Sequence, residues 1–122
     1  MKVLGYLEGT DPNLLTRVVL EGYETLPLSN GWDNHGKHLT LLNPADNISM
    51  VVGSFHKFVR LEDMSIFNAM LATVKAYDIP VVFVVPKEYQ DKAVKLVGDS
   101  DLKCKFVDPA DLTDVVLKDL NS

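Results

Sequence analysis

Val81-Val82-Phe83-Val84-Val85 is apolar at every position and rich in β-branched side chains, the composition of a strand covered on both faces. Such a strand belongs at the centre of a sheet with helices on either side. The flanks supply those helices. Upstream, residues 62–77 open with Glu62 and Asp63, repeat Phe67, Met70, Leu71 and Val74 on one face, and end before Pro80. Downstream, residues 86–97 place Tyr89, Ala93, Leu96 and Val97 on one face, and Gly98 stands where a left-handed cap is expected. A short strand over residues 104–107 follows. Asp108-Pro109 then starts a last helix with Leu112, Val115, Val116 and Leu120 as its inward stripe.

The first half continues the alternation. Val3-Leu4-Gly5-Tyr6-Leu7 reads as a strand, and Thr10-Asp11-Pro12 as a helix start, because Asp caps free N–H groups and Pro suits the first helical position. Leu14, Leu15, Val18, Val19 and Tyr23 predict a helix over residues 12–24. Residues 26–37 hold Pro27, Ser29, Asn30, Gly31, Asp33, Asn34 and Gly36, which marks them as the least regular segment and the leading functional loop. Residues 38–42 and 48–52 read as strands. The five residues between them suit a hairpin and are too few for a parallel crossover. The expected fold is a three-layer α/β sandwich, Rossmann-like, with a mostly parallel or mixed five-stranded sheet flanked by about four helices.

The chain has 122 residues, 47% hydrophobic and 24% charged, with no repeat or long linker, so one α/β domain over residues 1–122 is expected. Twelve Lys and Arg against seventeen Asp and Glu give a net charge of −5, which argues against nucleic acid or an anionic membrane as partner. No apolar run approaches a membrane span, and Met1-Lys2 leads into a strand without a secretory pattern, so a cytoplasmic protein is expected. Cys104, the single cysteine, alternates with Lys103 and Lys105 on its strand and reads as an inert thiol.

Ligands of open α/β sheets sit beyond the carboxyl ends of the strands. There the sequence offers Glu8, Gly9, Thr10 and Asp11 after the first strand, Gly53, Ser54, His56 and Lys57 after the third, and Pro86, Lys87 and Glu88 after the fourth. A helix start with a close-approach glycine, facing a hydroxyl, an imidazole and an ammonium, suits a phosphate or carboxylate. His56 is the candidate catalytic acid or base. Glu8, Gly9, Thr10, Asp11, Gly53, Ser54 and Lys57 are the candidate ligand-binding residues. Asp11 is more readily accounted for as a cap than as a site, since Asp108-Pro109 repeats the dipeptide. No Gly-x-Gly-x-x-Gly, Gly-x-x-x-x-Gly-Lys-Ser/Thr or Gly-x-Ser-x-Gly occurs, so no cofactor is assigned and a dinucleotide enzyme, a P-loop or a nucleophile elbow is disfavoured. Asp33, His35 and His38 form a polar cluster, but His-x-x-His with a flexible glycine between falls short of a metal site.

Residues 46–85, about a third of the chain, resemble nucleoside deoxyribosyltransferase-type domains in topology: an apolar strand, a loop, Asp63-Met64-Ser65 opening a helix, and Ile79-Pro80-Val81-Val82 entering the next strand. The family's Asp-x-Gly-Thr-x-x-Glu is met here by Asp63, Ser65, Ile66 and Ala69. Its nucleophilic carboxylate is missing, so the resemblance implies no activity and no site residue. The function expected from the residues is binding of an anionic small molecule, a nucleotide or sugar phosphate, at the strand ends, with catalysis left open. The alternative is a non-enzymatic interaction or regulatory domain. A homodimer is expected, with Leu26, Leu28 and Trp32 as its exposed apolar residues.

Overall fold

The computed structural model describes residues 2–98 and 101–122; Met1, Asp99 and Ser100 lie outside them. Among the described residues six strands form one parallel sheet: β1 (Val3–Tyr6), β2 (Glu24–Ser29), β3 (Lys37–His38), β4 (Ile48–Ser54), β5 (Val81–Val84) and β6 (Cys104–Val107), in the order β3-β2-β1-β4-β5-β6. Four α-helices among the same residues cover it: α1 (Pro12–Leu20), α2 (Met64–Ala76), α3 (Gln90–Val97) and α4 (Leu112–Leu120). The result is a three-layer, Rossmann-like α/β fold. None of these helices is long and apolar enough to cross a membrane.

Strand alternation assigns the two cores. In β4 and β5, Val51, Val81 and Phe83 point to one face, where Phe67, Met70, Leu71 and Val74 of α2 and Ala93 of α3 meet them. Met50, Val52 and Val82 point to the other, against Leu14 and Val18 of α1 and Leu112, Val116 and Leu120 of α4. The uniformly apolar stretch is therefore double-covered, as its composition requires. Asp11 and Asp63 cap α1 and α2 by accepting from Asn13 N and Ser65 N, and Gly98 closes α3 with φ +59°.

Several boundaries differ from those expected. The sheet has six strands rather than five and is wholly parallel rather than mixed. The hairpin does not form, because only Lys37–His38 is strand and Leu39–Leu41 is a 3-10 turn capped by His38. Moreover, β3 and β4 are not neighbours: β2 and β1 lie between them. Three strand spacings are only about 15 Å, which residues 39–47 cross with two 3-10 turns, Leu39–Leu41 and Pro44–Asp46, and no α-helix. α1 stops at Leu20 instead of residue 24, because Gly22 at φ +91° turns the chain into β2. The premise of the expected dimer contact also changes. Leu28 is wholly buried in β2 against Gly5, and Leu26 and Trp32 are partly buried.

Candidate functional site

The strand order reverses between β1 and β4, which run side by side in parallel with Tyr6 opposite Val52, so their carboxyl ends diverge to loops on opposite faces. The Leu7 N–H donates to Val52 O at 3.0 Å, carrying the pairing to the mouth of this crevice. After β1 the chain turns tightly: the Thr10 hydroxyl donates to Leu7 O at 2.7 Å, and Gly9 takes φ +82°. A Cβ on Gly9 would lie 3.8 Å from Lys57 Cε, so the glycine sits beside the lysine stem. Asp11 is occupied as the α1 cap.

After β4, residues Phe55–Lys57 form a 3-10 turn. Phe55 packs edge-on against Phe67 and Phe83, and Phe58 against Phe83, so a partly buried ring before His56 and Lys57 and a buried one after them hold the turn. Lys57 Nζ is 2.9 Å from Asp33 Oδ2 and 3.9 Å from Glu8 Oε2. Ser54, at the end of β4, and the exposed His56 make no side-chain hydrogen bond among the described residues. Gly53 is buried, and the place a Cβ would take is filled by Leu7 and Phe58 at 3.0 Å, so it serves the close approach of β1 to the turn.

Contacts thus bring Glu8 and Gly9 to Lys57, Ser54 and the exposed His56 belong to the β4 end and turn that carry Lys57, and Thr10 and Asp11 are engaged in shaping the loop. Two further residues complete the crevice. Asp33 is the nearer carboxylate on Lys57, and Asn30, 1% exposed, ties the β2–β3 loop to the turn: Nδ2 donates to Lys57 O at 2.8 Å and Asp33 Oδ2 at 3.2 Å, and Oδ1 accepts from Trp32 N and Asp33 N. Ser29 Oγ adds a bond to Asp33 O, and the Arg60 guanidinium lies 5.5 Å over the Trp32 ring. The dipeptide Asn30-Gly31 in a dense turn region marks this loop in the sequence, but its partner Lys57 does not show there.

The Lys57 ammonium, by its hydrogen bond, holds the Asp33 carboxyl below its ordinary value of 3.8, reinforced by Asn30 and opposed by burial. The same bond to Asp33 raises Lys57, with Glu8 adding its charge. A carboxyl lowered by folding contributes stability above its unfolded pKa and loses it as pH falls through the folded value. Asp33→Asn is therefore expected to lower the melting temperature at neutral pH, with the gap from wild type closing below pH 3.8. A pH series of thermal melts checks this, and a gap constant down to acid pH contradicts it.

Asp33, His35 and His38 face three different partners: Lys57, Leu28 O and Thr40 respectively. Among the described residues no three His, Cys, Asp or Glu side chains converge as a metal site would need. Asp63 accepts from Ser65 N as the cap of α2. Lys87, after β5, gives its backbone N–H to Asp108 and so belongs to the cap at the far edge of the sheet. Concavities of about 450 and 500 Å³ lie away from the crevice, one at the amino ends of the strands beside Lys2 and Asp119, the other between α2 and α3. Comparisons with family models, curated proteins and solved structures find no match.

Proposed function

We propose that the crevice between the ends of β1 and β4 binds an anionic small molecule, a nucleotide or sugar phosphate. The observation that carries this reading is the unequal sharing of Lys57: Asp33 holds it at 2.9 Å, whereas Glu8 stands off at 3.9 Å with its side chain about half exposed. A pair stretched to 3.9 Å with its carboxylate half exposed is worth at most about 1 kcal/mol, so a phosphate oxygen displaces Glu8 at little cost. The freed carboxylate then accepts from a sugar hydroxyl, which a bare phosphate lacks. Ser54 donates its unused hydroxyl, Gly9 leaves room beside the lysine, and Gly53, Thr10 and Asp11 fix the two loops. His56 stands at the rim as the imidazole available for proton transfer.

Calorimetric titration with ribose 5-phosphate, adenosine 5′-monophosphate and inorganic phosphate tests it. Lys57→Met is expected to weaken all three by at least about tenfold, the loss of one charge-assisted contact. Glu8→Gln is expected to strengthen inorganic phosphate while narrowing the preference for the sugar phosphates. No binding by any of the three, or equal binding to Lys57→Met, overturns the reading.

The second reading, an interaction domain acting as a homo-oligomer, is favoured by one feature: Val19 and Leu20 of α1 are 55% and 75% exposed beside Leu15. Leu20→Glu is expected to dissociate such an assembly, and sedimentation of the unaltered chain as a 13.6 kDa species at every concentration removes this reading.

A further inference from the structure

The β2–β3 loop, tied to Lys57 through Asn30 and Asp33, also sets His35 against Tyr6 at the end of β1. The imidazole packs edge-on against Tyr6, with 5.4 Å between ring centroids and 74° between planes. Its Nδ1 lies 3.1 Å from Leu28 O. A carbonyl oxygen can only accept, so the neutral ring carries its proton on Nδ1 and leaves a bare lone pair on Nε2. No hydrogen bond reaches Nε2 or the Tyr6 hydroxyl among the described residues. The next residue anchors the loop: Gly36 takes φ +124°, where a Cβ would stand 2.5 Å from Pro27 O, so the backbone lies directly against β2.

The other two imidazoles differ. His38 accepts from Thr40 N on Nδ1 and caps the 3-10 turn that follows β3, and among the described residues His56 has no partner to orient it. Only His35 combines a fixed ring, a fixed tautomer and a free acceptor.

We propose that His35 Nε2 is the sugar-reading group of the crevice, accepting a hydrogen bond from a hydroxyl of a sugar phosphate or nucleotide. This rests on the crevice reading above and adds to it. The lone pair accepts from O–H, while the Lys57 ammonium attracts the phosphate. A sugar phosphate carries a hydroxyl several bonds away from its phosphate and so offers one group to each; inorganic phosphate held on Lys57 has no such second end.

Long-range proton–nitrogen NMR of the ¹⁵N-labelled chain is expected to show His35 as the Nδ1–H tautomer. Ribose 5-phosphate should move the His35 Nε2 resonance together with the Gly9 and Lys57 amides, whereas inorganic phosphate should move the amides only. His35→Asn keeps an amide N–H in place of Nδ1 and lacks Nε2. It should melt as the wild type does, bind inorganic phosphate equally, and bind ribose 5-phosphate about tenfold more weakly, the worth of one hydrogen bond. An Nε2–H tautomer overturns the assignment, as does an unmoved His35 while the Gly9 and Lys57 amides shift, with the crevice reading left standing. Amides unmoved by either probe overturn both.

Discussion

Phe83→Ala is expected to destabilise the chain by about 3–5 kcal/mol, the range for emptying a large aromatic site in a core that cannot collapse. Phe83 is fully buried on β5, which β4 and β6 bracket in the sheet. Its ring meets Phe58 at 4.8 Å, Phe106 at 5.3 Å and Phe55 at 5.4 Å, and Phe55 extends the set to Phe67 at 6.3 Å. All five phenylalanines of the chain therefore share one cluster. Since the backbone on either side is pinned by strand pairing, the void persists, and a domain of this size has only about 5–15 kcal/mol to lose. Urea unfolding checks the value: the midpoint should fall with an unchanged slope. Phe106→Ala, on the edge strand and only partly buried, should cost less; equal costs would contradict the account. There is also a functional reading. Phe55 and Phe58 flank His56 and Lys57, so the cavity loosens the turn that holds the ammonium.

The double-covered β5 was legible because its pattern is local and unambiguous, and the Asp11 and Gly98 caps were legible because capping depends on neighbours in sequence. β2 was not, since Pro27, Ser29 and Asn30 are turn formers. The structure shows why a proline is tolerated there. The Pro27 carbonyl faces Gly36 on the outer side of β2, and N–H and C=O of one residue point the same way in a strand, so the missing donor faces an edge where β3 pairs only Leu28 and Ser29. The hairpin over residues 38–52 failed for a related reason: connection length limits only strands that are neighbours, and neighbourhood is a property of the whole sheet. For the site, both crevice loops could be picked out from the chemistry of their residues. The adjacency of β1 and β4, the condition for their meeting, is now given by the pairing of Tyr6 with Val52. Asp33 and Asn30 were out of reach, because their contact with Lys57 exists only once β2 lies beside β1.

Asn30→Asp is the substitution expected to damage stability and site together. The amide uses both its ends: Oδ1 accepts at 3.1 and 2.9 Å from Trp32 N and Asp33 N, and Nδ2 donates at 2.8 and 3.2 Å to Lys57 O and Asp33 Oδ2. A carboxylate preserves the first pair and inverts the second, setting an acceptor against a carbonyl and another carboxylate at a position 1% exposed. Two unmet groups at about 1–3 kcal/mol each give an expected loss of roughly 2–6 kcal/mol. The sign of its pH dependence is fixed by the same chemistry. Burial and Asp33 raise the pKa of the introduced carboxyl, and once protonated it can donate to Lys57 O, so the deficit from wild type should shrink as pH falls. Trp32 is the only tryptophan and lies in this loop, so its emission reports the latch while circular dichroism reports the helices. In the variant, emission should shift red at lower denaturant than the helical signal is lost. Coincident transitions would mean that the loop and the sheet open as one unit, and that Asn30 holds no separate latch over Lys57.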